Sequence, residues 1–230
     1  PSALCSNAWV EQMRVCGIAY EQHLAHHLQQ SMARFALGQH PVLQLYPLNG
    51  NGMLPCAEDL GMVPASVKGV LERLEILSLE IQRMPKAYGV RFGNPLDNPY
   101  LSVATIATHD MPPLRLWWQQ NGEQSQAFWH EALHHNGEAP AEATPEVCED
   151  VVKLHLQSPS MLCLLGWQDW LAISPTLRSK HPETEQINVP ANPNQYWQYR
   201  MHLTLEELIQ ATGFNDKVRA LIAASGRLDN

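Results

Sequence analysis

Charge is scarce in this chain. Only 17% of its 230 residues are Asp, Glu, Lys or Arg, and 15 basic against 23 acidic groups leave a formal net charge of −8. A basic excess is the footprint of nucleic-acid binding, so no nucleic-acid partner is expected. The same balance argues against docking on an anionic membrane. No apolar run approaches the ~20 residues that a membrane-spanning helix needs. No basic, then apolar, then small-residue leader opens the chain, so no secretory signal is expected. The five cysteines, Cys5, Cys16, Cys56, Cys148 and Cys163, are odd in number, scattered and without a C-x-x-C pair. They read as reduced, mostly buried thiols of a cytoplasmic protein.

Several chemical signatures are missing as well. There is no G-x-S-x-G elbow of a serine hydrolase and no glycine-rich phosphate loop. There is no H-E-x-x-H. His23, His26, His27, His134 and His135 fall at spacings that zinc tolerates, but their charged helical context reads as solvated faces. No metal and no other cofactor is expected.

What is present is a globular composition, 45% apolar. The length fits one large domain or part of a bigger one. Such a chain buries roughly 70% of its unfolded surface. Residues 7–37 carry a helical period through Val10, Met13, Ile18, Leu24, Leu28, Met32 and Phe35, with Gly38 as the stop. A short apolar stretch, 41–48, leads into the turn-forming Asn49-Gly50-Asn51-Gly52.

Four short apolar runs follow, at 53–57, 77–82, 101–107 and 161–166. Helical segments lie between them, from Pro64 to about Leu74 and over 113–120, 123–135 and 145–157. Strands alternating with helices predict an α/β fold with a parallel sheet. The 101–107 run is apolar at nearly every position, as a strand covered on both faces requires. The 77–82 run alternates, with Ser78, Glu80 and Gln82 sharing one face that points toward a site. An irregular stretch over 173–195 is punctuated by Pro175, Pro182, Pro190 and Pro193. Thr204 with Glu207 forms a capping box that opens a last helical region.

Two of these strands run into carboxylates. The 53–57 run is followed by Glu58-Asp59-Leu60-Gly61, and the 101–107 run by Thr108-His109-Asp110. In a βα barrel the C-terminal strand ends form the active-site face, so such carboxylates converge on one pocket. Paired carboxylates are the equipment of glycosidic-bond chemistry. The alternative for Glu58 and Asp59 is simple capping of the next helix. Trp117, Trp118, Trp167, Trp170 and Trp197 gather near the strand ends. Each either lines a glucan groove or, as most tryptophans do, packs.

At this point the sequence resembles a known family. Ala57-Glu58-Asp59-Leu60-Gly61 and Thr108-His109-Asp110 are similar, in motif, order and strand placement, to the Glu-Asp-Leu-Gly and Thr-His-Asp motifs of the 4-α-glucanotransferases, also called amylomaltases or disproportionating enzymes. Gln168-Asp169, Ile187-Asn188-Val189-Pro190 and Tyr196-Trp197-Gln198-Tyr199-Arg200 resemble the family's C-terminal signature, in wording nearest to the plant cytosolic and gut-bacterial subgroup. The resemblance runs from about Gly52 to Arg227. It implies a retaining transglycosylase of glycoside hydrolase family 77 on a (β/α)8 TIM barrel, acting on α-1,4-glucans and maltooligosaccharides. By the same resemblance Glu58 is the acid/base, Asp110 the carboxylate that stabilises the transition state, and His109 a contact to the same sugar. Arg83 and Asn188 are candidate sugar contacts. Their alternatives are an ion pair near a strand end for Arg83 and a loop hydrogen bond for Asn188.

One departure from the family is serious. Its nucleophilic aspartate stands on an earlier strand in an Arg-x-Asp context. Before Glu58 the only acidic residues are Glu11 and Glu21, and neither follows a strand. About four strands are legible instead of eight. The expectation is therefore that residues 1–230 are the C-terminal part of one catalytic barrel domain whose remaining strands, with the nucleophile, lie upstream. A half barrel leaves open sheet edges, so the isolated chain is expected to be inactive. A non-catalytic glucan-binding module lacking the nucleophile stays open as the alternative, as does a hydrolase of the same barrel class. Pro113, at a helix start, and Leu116 are milder departures that bear on packing.

Overall fold

A computed structural model describes residues 54–61, 63–194 and 197–227. The helix and turn read over 7–52, and with them Cys5, Cys16, His23, His26 and His27, lie outside the described residues. The chain divides into two compact units, Pro1–Ser78 and Leu79–Asn230.

In the first unit, Cys56 and Leu77 form a parallel bridge. It is closed by Ala57 N–H donating to the Leu77 carbonyl at 2.8 Å and Leu77 N–H donating to the Pro55 carbonyl at 3.0 Å. The strand expected over 53–57 is thus reduced to one bridge among the described residues. Helix α1 is Ala65–Leu74. Pro64 starts it, since its φ of −58° already suits a helix and its missing N–H is not needed there. Glu75 ends it in the left-handed region at φ 54°, and its N–H bonds back to Glu72 and Leu71.

The three-stranded sheet has the order β1-β2-β3, with β1 Ser78–Ile81, whose first residue closes the first unit, and β2 Ser102–Thr105 and β3 Leu162–Cys163 in the second. β2 and β3 are parallel, Val103 opposite Leu162 and Ala104 opposite Cys163. All four residues of β2 are buried, its hydroxyl-bearing Ser102 and Thr105 included, as a largely apolar run covered on both faces predicts. β1 is buried at Ser78 and Ile81 and half-buried between them. Its Glu80 is engaged by Lys86 at 2.8 Å, so that carboxylate is committed to a protein partner. β3 is far shorter than the 161–166 run, because strand length is set by the partner's hydrogen bonds and only this stretch meets β2 in register.

Between the strands stand α2 (Leu114–Gln120), α3 (Gly122–Glu131) and α4 (Pro145–Leu156). α4 shows why its sequence is a helix. Thr144 caps it by accepting from Val147 N–H, Pro145 occupies the first position, and Val147, Cys148, Val151, Val152, His155 and Leu156 form one buried stripe. α2 is buried at five successive residues, Leu114 to Trp118, more than one face can present. Charge is therefore buried with it, at Arg115. The proline-rich stretch after α5 (Trp167–Ala172) contains a short 3-10 turn, Pro182–Glu185. α6 (Leu205–Gln210) opens at the expected capping box: Thr204 Oγ1 accepts from Glu207 N–H, and Glu207 Oε2 accepts from Thr204 N–H at 2.7 Å. α7 (Thr212–Ala224) lays Phe214, Val218, Leu221 and Ile222 on the core without burying any residue fully.

The core is centred on Trp117, Trp118 and Phe128, with the α4 stripe, Ala172 and Ile173 around them. Phe128 meets Trp117 and Trp118 edge to face, with ring centroids 5.5 and 6.2 Å apart. This decides two of the tryptophans as packing: Trp118 is 1% exposed, and its indole N–H is satisfied by the Pro140 carbonyl at 2.8 Å. The cysteines depart from expectation too. Cys148 is buried, but Cys163 is half-buried and Cys56 exposed. Among the described residues no helix is long and apolar enough to cross a membrane.

Candidate functional site

β2 ends at Thr105, and the chain leaves it through residues 107–111 before α2 begins. This turn carries His109 and Asp110, both exposed, on the C-terminal side of a fully buried strand. It is closed internally by Met111 N–H donating to the Thr108 carbonyl at 3.2 Å and by Asp110 N–H donating to Thr108 Oγ1 at 3.3 Å. The threonine of the motif therefore shapes the turn, as short hydroxyl side chains do. His109 Nε2 lies 3.3 Å from Asp110 Oδ1. The His109 ring lies 4.7 Å, centroid to centroid, from the exposed Trp197 indole, tilted by 47°.

Asn188 reaches this turn from 78 residues away. Its backbone N–H donates to the His109 carbonyl at 3.1 Å, and its side-chain amide donates to Asp110 Oδ1 at 2.6 Å. The loop bond anticipated as its alternative role is present, and it falls on a candidate catalytic carboxylate. Gln186 Nε2 donates in turn to the Asn188 carbonyl at 3.0 Å.

Arg83, just beyond β1, does not take the ion-pair geometry anticipated for it. Its Nη2 donates to the carbonyls of Ile106 at 3.3 Å and Pro112 at 3.0 Å, and its guanidinium stands 5.0 Å from the centroid of the Trp117 ring. Burial lowers its pKa to about 10, and the charge of Asp169 pulls the other way. Asp169 is the complement. Burial raises it to about 6, opposed by Arg83 and by the Gly166 N–H that it accepts at 3.1 Å.

Arg115 and Glu185 do form a buried ion pair. Arg115 Nη1 is 3.5 Å from Glu185 Oε2 and donates to the Ser179 carbonyl at 2.8 Å. Burial pushes both groups toward their neutral forms, and each charge counteracts the shift of the other. Gln168 Nε2 donates to the Glu185 carbonyl at 3.2 Å, so Gln168 holds the segment that leads to Asn188.

Glu58 belongs to the first unit, where it is exposed directly after the Cys56 bridge. His134 is exposed in the left-handed region at φ 57°, and His135 stacks on Trp129 and meets Asp150 at 3.0 Å. Among the described residues no group of three or more His, Cys, Asp or Glu side chains is arranged to hold a metal ion. Trp167 and Trp197 are exposed, Trp170 half-buried. Sequence reasoning missed the protein partners of Arg83 and the burial of Asp169; nothing local marks either.

Comparison with known proteins identifies the family. The family model of the 4-alpha-glucanotransferases, glycoside hydrolase family 77, matches residues 11–205. A 4-alpha-glucanotransferase of Oryza sativa subsp. japonica, DPE2, is 37% identical over 192 residues, covering 84% of this chain and 20% of its own length. The 4-alpha-glucanotransferase of Chlamydia pneumoniae is 32% identical over 180 residues, covering 76% of this chain and 33% of its own. The chain thus spans a fifth to a third of the length of these relatives. An amylomaltase from Streptococcus agalactiae, solved in complex with acarbose, superposes with a TM-score of 0.59 at 18% identity, over 83% of this chain and 36% of that one. That likeness shows the α/β fold. With the family model matching 195 of 230 positions, this chain belongs to the 4-alpha-glucanotransferase family.

Proposed function

We propose that the protein containing this chain is a retaining 4-α-glucanotransferase, and that residues 1–230 form the C-terminal part of its (β/α)8 barrel. The observation that carries the reading is the placement of His109 and Asp110 on an exposed turn at the C-terminal end of a buried strand, after an exposed Glu58 that follows a parallel bridge. That is the polarity a barrel active site requires. The substrates are α-1,4-glucans and maltooligosaccharides. Scattered thiols fit a cytoplasmic setting.

Glu58 gives its proton to the glycosidic oxygen while an aspartate from an upstream strand attacks the anomeric carbon. The bond to the leaving glucan breaks and a glycosyl ester forms. Glu58, now a base, removes the proton from the 4-hydroxyl of an incoming glucan. That oxygen attacks the anomeric carbon and releases the aspartate. Asp110 is neither donor nor nucleophile: its negative charge lies against the positive charge that develops on the sugar ring. His109 holds hydroxyls of the same sugar, and the exposed Trp197 beside it offers a flat apolar face to the ring.

The test is incubation of the full-length protein with maltotriose. The expected products are glucose and longer maltooligosaccharides, with little net gain in reducing ends. Glu58→Gln and Asp110→Asn each lower turnover by about a thousandfold or more. Near-normal rates in either variant end the assignment. Oligosaccharide binding without any product replaces the transferase with a glucan-binding protein, and bulk release of reducing sugar replaces it with a hydrolase.

A further inference from the structure

The His109-Asp110 turn has an unusual problem. It is exposed, and the contacts within it fix its backbone only at Thr108, Asp110 and Met111. A carboxylate that must lie against one developing charge needs holding to within roughly half an ångström. The holders come from two other places in the second unit.

At the base of the turn, the single nitrogen Nη2 of Arg83 bonds the carbonyls of Ile106 and Pro112, one on each leg. The rest of the guanidinium has little freedom. It rests on the Trp117 ring in the core and feels the opposite charge of the buried Asp169. At the tip, Asn188 makes two bonds with two different parts of itself. Its backbone N–H holds the His109 carbonyl at 3.1 Å, and its amide holds Asp110 Oδ1 at 2.6 Å. Asn188 is itself 9% exposed and is gripped through its carbonyl by Gln186. An amide suits this place better than a cation. It orients the carboxylate without neutralising it, so the negative charge stays available to the sugar.

We propose that Arg83 and Asn188 are positioning residues that set the geometry of Asp110 and His109 from below and from the side, and that neither of them contacts the glucan. The proposal rests on the reading of Asp110 as the transition-state-stabilising carboxylate. It differs from a sugar-binding role in what it does to the kinetics. A group that acts through Asp110 lowers kcat and leaves KM alone, whereas a lost sugar contact raises KM.

The experiment is steady-state disproportionation of maltotriose by the full-length protein, with Asn188→Ala, Arg83→Lys and Asp110→Asn, and with Asn188→Ala combined with Asp110→Asn. Asn188→Ala is expected to lower kcat by about 10- to 100-fold, the usual result of a misplaced reacting group, with KM within about twofold. In the Asp110→Asn background the same change is expected to cost less than about twofold, because the carboxylate it orients is gone. Arg83→Lys keeps a cation but not the rigid fork, and is expected to lower kcat about tenfold with KM again unmoved. Should Arg83→Lys fail to fold, the Asn188 cycle alone decides. A tenfold rise in KM at unchanged kcat, or an Asn188→Ala effect that persists in full without Asp110, overturns the proposal. Normal rates in Asp110→Asn, by contrast, overturn the reading of Asp110. A crippled Asp110→Asn beside a fully active Asn188→Ala overturns the positioning role alone.

Discussion

Two parts of the second unit are equally dry and are built from opposite chemistry. Around Trp118 and Phe128 the interior is aromatic and aliphatic, and the Trp118 indole N–H is satisfied. Around the ends of the strands it holds Gln82, Arg83, Arg115, Asp169 and Glu185, all but Arg83 less than a tenth exposed. Several polar atoms there have no hydrogen-bond partner, among them both amide atoms of Gln82 and both carboxylate oxygens of Glu185. Each such group costs about 1–3 kcal/mol of stability. The first region stabilises the fold. The second forgoes stability, and one of its members, Arg83, bonds both legs of the exposed turn. Proteins break the rules of burial mainly where a site must be kept in place.

The comparison breaks most visibly in the aromatic core. Trp118→Ala leaves a cavity and an unpaired Pro140 carbonyl, and is expected to cost about 5 kcal/mol, the upper end for such truncations. Urea unfolding of the full-length protein measures it. A loss below 1 kcal/mol shows that the cluster is not the stabilising centre.

The strand-end layer behaves differently under a second mutation. Arg115→Met leaves Glu185 buried and uncompensated, at an expected cost of about 3–4 kcal/mol. Adding Glu185→Leu removes the orphaned charge and is expected to recover most of that loss. No second truncation recovers the cavity at Trp118. If the double variant is less stable than Arg115→Met, the buried pair stabilises outright and the contrast between the regions fails.

The smallest effect separates two buried titrating groups. Burial lowers His155 to about 4 from an ordinary 6.5, so between these values the unfolded chain binds a proton that the folded chain refuses. Stability therefore rises with pH across that window, by about 3 kcal/mol. Asp169 does the reverse. It is raised to about 6 from 3.8, so the folded chain keeps a proton that the unfolded chain has lost. Stability falls with rising pH between these values, again by about 3 kcal/mol. The two terms nearly cancel. His155→Leu is expected to expose the falling slope and Asp169→Asn the rising one. Unfolding free energies measured from pH 4 to 7 that run parallel in the two variants rule the assignment out.

Local signals carried much of this structure. Thr144-Pro145 with its buried stripe is a helix in any context, and Thr204 with Glu207 caps one by contacts three residues apart. The largely apolar 101–107 run announced a doubly covered strand, and the Thr-His-Asp motif after it named the candidate site and the family. These readings succeed because caps, periods and turns are settled within a few residues. The tryptophans show the limit. Trp117 and Trp197 both admit a packing and a groove-lining reading in the sequence, yet one is core and the other is exposed beside His109. The apolar helical run around Trp117 favours packing, but nothing near Trp197 in the chain says that it meets His109.

By itself the sequence determined the α/β alternation, the helix starts, the strand-end carboxylates and the family. Only the tertiary structure decided that β3 keeps two residues in register with β2, that Glu80 is taken by Lys86, and that Arg83 and Asn188 converge on one turn from 23 and 78 residues away. The reason is one of range. Propensity and periodicity act along the chain, whereas the burial of a guanidinium or the aim of an amide depends on which distant segments fold around it.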